Sequence, residues 1–177
     1  MKTLMMAALG SAILSTLAAA GDDDAKLLAA LSKSKHTLAQ GVEQAAAKEA
    51  ILSAKFELED GKLSLSVYTV EKGLGVDAEH NVLKELAGSP EADLWHPETE
   101  VFKDVAHVSR ASQQLAIMAL SPVSILDVIK KAEKDHPGVV YSVIPQFLDR
   151  KPVFVVQVAA GGKSAELQYD ALTGAKR

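Results

Sequence analysis

The 177-residue sequence contains no cysteine, so no disulfide and no thiolate metal site can hold it together, and its stability has to come from packing. It also has no basic excess: 19 Lys and Arg stand against 23 Asp and Glu, a dispersed net charge of −4. That argues against a nucleic-acid partner, which needs a basic face to neutralise phosphates. A membrane span needs about 20 strongly apolar residues, and the one apolar run, Leu4 to Leu17, is shorter and rich in Ala, Gly and Ser. Signatures of chemistry are missing too. There is no Gly-x-Ser-x-Gly elbow, and Gly73-Leu-Gly75 is too short for a phosphate loop. His36, His80, His96, His107 and His136 include no pair at the spacing of a zinc helix. The residues therefore point to a protein that is not an enzyme and call for no cofactor and no metal.

What is present begins with Lys2, the apolar run, and Ala18-Ala19-Ala20 before Gly21. This is the layout of a secretory signal peptide over residues 1–20, cleaved between Ala20 and Gly21, and it predicts a periplasmic or secreted protein. With no Cys after the run, lipid attachment at a cysteine is excluded. Cleavage removes Lys2 and no acid, so the mature chain is slightly more acidic. Asp22, Asp23 and Asp24 invite a metal reading, but consecutive carboxylates at a chain end do not preorganise a cation site. Residues 21–36 read as a flexible leader with a short helical stretch from Lys26 to Ser34.

The clearest architectural signal lies at the other end. From Val153 to Ala160 the chain is β-branched and apolar, Gly161-Gly162 permits a tight turn, and Ala165, Leu167, Tyr169 and Ala171 then alternate with polar residues. An earlier stretch matches it. Thr37 and Gln40 form a capping-box pattern ahead of Leu38, Val42 and Ala45 on one helical face; Ser124 and Asp127 do the same ahead of Ile125, Ile129 and Ala132. Strand-like alternation follows in both places, at Leu52 to Leu58 and at Tyr141 to Pro145, and each has a turn, Asp60-Gly61 and Asp149-Arg150. A second strand puts Leu63, Leu65 and Val67 on one face and Ser64 and Ser66 on the other. A weaker third strand is expected around Leu74 and Val76, with Asn81 matching Gly174 at a left-handed position. The fold class is α+β: two repeats of a helix followed by a three-stranded antiparallel sheet, at 37–86 and 122–177, joined by a linker at 87–121.

A capped helix, a Lys-Pro-Val-Phe-Val-Val-Gln-Val strand and a closing Tyr-Asp-Ala-Leu-Thr-Gly resemble the PepSY domain, here in two tandem copies. The first copy departs from the pattern, with Asp77-Ala-Glu-His-Asn81 in place of the closing turn. The resemblance implies a small exported or membrane-facing module, related to metallopeptidase propeptides, that inhibits or chaperones a peptidase. An envelope or secreted peptidase is accordingly the expected partner.

In the linker, Pro97 to Leu120 reads as a connecting helix with Val101, Val105, Val108, Ser112, Leu115 and Ala119 along one face. Trp95, the single tryptophan, reads as a plug docking the linker on the core. His107, Ser109 and Arg110 form the nearest approach to a polar cluster. Val153 and Val155 lie on the strand face opposite Phe154, Val156 and Val158. If helices cover one face of the sheet, either the connecting helix or a partner covers these valines, which makes them the partner-binding candidates. The functional expectation is an exported binding module that modulates a peptidase; the alternative is a structural or small-ligand-binding envelope protein.

Overall fold

The computed structural model describes residues 17–177, with side chains from residue 23 onward. The signal-peptide reading therefore lies largely outside the described residues. Ala20 and Gly21 fall within a helix, α1 (Leu17–Ala30). A 3-10 turn, Leu31–Lys33, follows it and buries Leu31. The expected leader is thus helical, and Asp23 and Asp24 sit on that helix.

Helix α2 (Leu38–Ala46) starts where the capping box predicts: Thr37 accepts from the backbone of Gln40, and the Gln40 side chain accepts from Thr37 N–H. Strands β1 (Ala50–Glu59) and β2 (Lys62–Val70) follow, joined through Asp60 and Gly61 at φ 50° and 75°. The third strand lies later than expected. Residues around Leu74 and Val76 form turns, and β3 is Leu83–Gly88. Asn81 is not left-handed; its side chain staples this loop instead. Lys72 N–H and Val82 N–H donate to its Oδ1, and its Nδ2 donates to the carbonyls of Gly73 and Val76.

The start of the predicted connecting helix is also corrected. Glu98–Val101 is a fourth strand, β4, paired to β3, and the helix α3 (Val105–Leu120) begins only after Asp104, whose carboxylate accepts from His107 N–H. A cap three residues inside an apolar-periodic run outweighs Pro97 as a helix start. Trp95 is 2% exposed and belongs to the core, as a plug would be.

Helix α4 (Ile125–Asp135) carries the second capping box, Ser124 with Asp127. Strands β5 (Val139–Leu148), β6 (Lys151–Ala160) and β7 (Lys163–Asp170) complete one seven-stranded antiparallel sheet in the order β4-β3-β2-β1-β5-β6-β7. The two central strands meet at Ala54 opposite Val143. Both carry a register shift, between Ile51 and Ser53 and between Val140 and Ser142. Ser124 follows Thr37 by 87 residues, whereas the second shift and the second turn follow the first by 89; α4, at 11 residues against 9 in α2, holds the difference. Val143 therefore takes the place of Ala54, two residues on from the match expected from the sequence. The Asp77–Asn81 loop precedes β3, whereas the Asp170–Gly174 turn follows β7, so those two segments do not correspond.

Strand alternation sorts the sheet into two faces. Ala54, Phe56, Leu65 and Val67 share one face with α2; Gly41 approaches so closely that a Cβ there would stand 2.6 Å from Leu65 Cδ2. Helix α4 packs beside α2 on this face, with Tyr169 O–H donating to Asp135. Helix α3 crosses the opposite face, where Ser53 Oγ donates to the buried Gln114 Oε1 at 2.8 Å and the ring of Phe102 lies against Tyr68. The free side of β7 is closed by the chain end, where Lys176 bridges Tyr169. The other sheet edge, β4, is exposed along all four residues and carries Glu98 and Glu100, charges of the kind that guard an edge against pairing.

Candidate functional site

The face crossed by α3 changes character towards the Asp60-Gly61 end. By register Glu57 stands opposite Ser64, Tyr68 opposite Glu85, Glu85 opposite Glu100 and Ala87 opposite Glu98. Three strands, β1, β3 and β4, thus place five glutamates, Glu57, Glu59, Glu85, Glu98 and Glu100, on one side of the sheet, with Ser64 and Ser66 of β2 between them. Four of them, Glu59, Glu85, Glu98 and Glu100, line a cleft of about 640 Å³ together with Lys62, Ser64 and His96, and Glu57 stands next to it on β1.

One carboxylate oxygen each from Glu57, Glu59 and Glu85 lies within 4.8 Å of the other two. Burial, and then the charges of Glu57 and Glu85, hold the Glu59 carboxyl above the usual range. The same two carboxylates join burial in pushing the Tyr68 phenol up. Lys55 supplies one countercharge: its ammonium lies 2.5 Å from Glu57 Oε2 and 5.5 Å from the centre of the Tyr68 ring.

Beneath the carboxylates Ser64 and Ser66 are buried, at 4% and 0% exposure, although alternation alone suggested a polar outward face. Neither hydroxyl has a hydrogen-bond partner. Ser64 tempers the Glu59 carboxyl, but from outside hydrogen-bonding geometry.

Two other polar clusters are locally satisfied. Asp77, Glu79 and His80 come together in the exposed loop before β3, where His80 N–H and its ring both bond Asp77 and hold that carboxyl low. His107 stacks on Phe102, with ring centres 5.0 Å apart, and its Nδ1 lies 2.6 Å from Asp104, so it completes a helix cap. The residues singled out as partner-binding candidates, Val153 and Val155, are 0% and 8% exposed: the chain itself buries them, and they leave no area for a partner. A second cavity, about 370 Å³, lies at the start of β1 and is lined by Val42, Ala46, Leu74, Met118, Pro122 and Leu126.

Two of the acidic positions, Glu57 and Glu59, are legible in the sequence as the polar side of an alternating strand. Glu85 is not, because the sequence pattern puts the third strand around Leu74 and Val76, and Glu98 and Glu100 fall in the stretch expected to be helical.

No family model and no curated protein matches this chain. Among solved structures it is similar to one described as a "putative lipoprotein" of Clostridium difficile 630, at 12% identity over 81% of this chain and 91% of that one, with a TM-score of 0.39. Among the described residues no helix is long and apolar enough to cross a membrane.

Proposed function

We propose that this chain is an exported, non-enzymatic binding module built from two PepSY-like copies, and that its acidic cleft receives a positively charged segment of an envelope peptidase. The observation that carries the reading is the cleft and its rim: five glutamates gathered from three strands against Lys62 in the lining, with Lys55 as the one ammonium paired to them in the described ion pairs. Clefts lined by one sign of charge concentrate and steer ligands of the other sign. A capped helix and the three antiparallel strands nearest the β1–β5 junction on each side, with β4 an added edge strand, support the two-copy description. The peptidase enters from the PepSY resemblance. The test is to add the purified protein to an envelope fraction and follow peptidase activity. A dose-dependent change, weakened by salt, is expected; unchanged activity at every dose overturns the peptidase assignment.

A second reading rests on a different observation. The 370 Å³ cavity at the start of β1 is lined largely by apolar side chains and is of a size that takes a small molecule. A ligand held there at 100 times its dissociation constant raises stability by about 2.7 kcal/mol. A thermal-shift screen of apolar compounds that moves no melting temperature refutes it.

A further inference from the structure

Glu57 and Glu59 leave β1, and Glu85 leaves β3, on the same face, with one oxygen of each within 4.8 Å of the others. Oxygens bound to one calcium ion at about 2.3–2.6 Å can be no more than about 5 Å apart, so these three already meet the distance condition for sharing an ion. A group of acids on a surface is common, and the second observation lies below it. Ser64 stands directly opposite Glu57, lines the cleft, is 4% exposed, and its Oγ has no hydrogen-bond partner. Leaving a buried hydroxyl unpaired costs about 1–3 kcal/mol, and a cation coordinated above the strand supplies the missing partner.

We propose that the floor of the cleft is a divalent cation site of the calcium type, with Glu57, Glu59 and Glu85 as carboxylate ligands and Ser64 Oγ as a neutral ligand. The proposal deepens the binding role assigned to the cleft and rests on it. All four donors are oxygens, which suits a hard cation and disfavours zinc or copper. Calcium accepts the irregular geometry of side chains from three strands, whereas magnesium demands a near-ideal octahedron. Glu98 and Glu100 add negative field at the mouth. Lys55, 2.5 Å from Glu57, is the internal countercharge that must release this carboxylate when the ion enters. Crowding of like charges around Glu59 is the condition that an ion relieves.

The test is calorimetric titration of CaCl2 into chelator-treated protein, with a thermal melt at each concentration. A dissociation constant in the range of roughly 10⁻⁴–10⁻³ M, that of extracellular calcium modules, is expected. Glu59→Gln and Glu85→Gln each weaken it about tenfold or more, which is about 1.4 kcal/mol. Lys55→Met tightens it. Ser64→Ala serves as the variant that cannot fail through misfolding: it removes an unpaired hydroxyl, so the calcium-free melt does not fall, while calcium affinity does. Absence of heat and of any melting shift overturns the site, as does binding that both glutamine variants leave unchanged; equal binding of MgCl2 overturns the assignment to calcium. Calcium binding without any effect on peptidases sinks the docking role alone, and the reverse result sinks the cation site alone.

Discussion

Replacing Lys84 with methionine removes the ammonium that ties the third strand to the end of α2. Lys84 Nζ lies 2.8 Å from Glu49 Oε1 and 2.5 Å from Glu71 Oε2, and the Lys84 and Glu49 side chains are 12% and 15% exposed. Thr69 also donates to Glu49. Breaking a fully buried pair costs about 3–5 kcal/mol, and a hydrogen bond to a charged group is worth about 1.5–3 kcal/mol. With some solvent access and Thr69 retained, about 2 kcal/mol is expected, a fall in melting temperature of roughly 4–8 °C for a chain of this size.

The pH dependence makes the prediction specific. Burial pushes the Glu49 carboxyl up, but the Lys84 and Thr69 hydrogen bonds and the Lys84 charge outweigh it and leave it below its ordinary value of 4.5. A depressed carboxyl contributes stability that is present above that ordinary value and lost as pH falls through the folded one. Lys84 itself is raised, chiefly by its bonds to Glu49 and Glu71, so its share is complete below 10.5 and lost only as pH rises through the folded value. In the variant, burial is opposed only by the Thr69 hydrogen bond and the Lys48 charge, so Glu49 is less depressed. Urea unfolding of both proteins should therefore show the full difference at neutral pH, and a gap that closes as pH falls below 4.5 through the folded value of Glu49. A difference of the same size at neutral pH and below that folded value refutes the electrostatic account and leaves only lost packing of the lysine stem.

Three further substitutions follow from local geometry. Arg150 holds φ 63° in the turn before β6, where its equivalent is Gly61, so Arg150→Gly should raise the free energy of urea unfolding by about 0.5–1 kcal/mol. Gly174 has φ 69°, and a Cβ there would stand 2.9 Å from Val123 Cγ2; Gly174→Ala should destabilise by about 1–3 kcal/mol, more than Gly161→Ala, which has φ 57° and open space around it. Ser66 is wholly buried with an unpaired hydroxyl, so Ser66→Ala should stabilise by about 1 kcal/mol in the same assay.

Local signals carried their predictions and long-range ones did not. Both capping boxes were readable because each rests on residues three apart, and both tight turns because their backbone demands are local. The β3 segment, Leu-Lys-Glu-Leu-Ala-Gly, is made of residues that favour a helix; pairing with β2 on one side and β4 on the other makes it a strand. Glu98 to Val101 was similarly absorbed into the apolar period that continues through α3. The cleft combines both failures, since Glu85, Glu98 and Glu100 arrive on those two strands. Ser64 and Ser66 are the polar side of an alternating strand, and only the interior position of β2, between β3 and β1, buries them.

The most direct measurement is affinity capture of envelope proteins on the tagged chain from residue 21, run beside a variant carrying Glu85→Gln, Glu98→Gln and Glu100→Gln, with mass spectrometry of what each retains. A peptidase or its precursor is expected to be held by the native cleft and lost from the neutralised one. Equal retention by both proteins, or no peptidase on either, contradicts it.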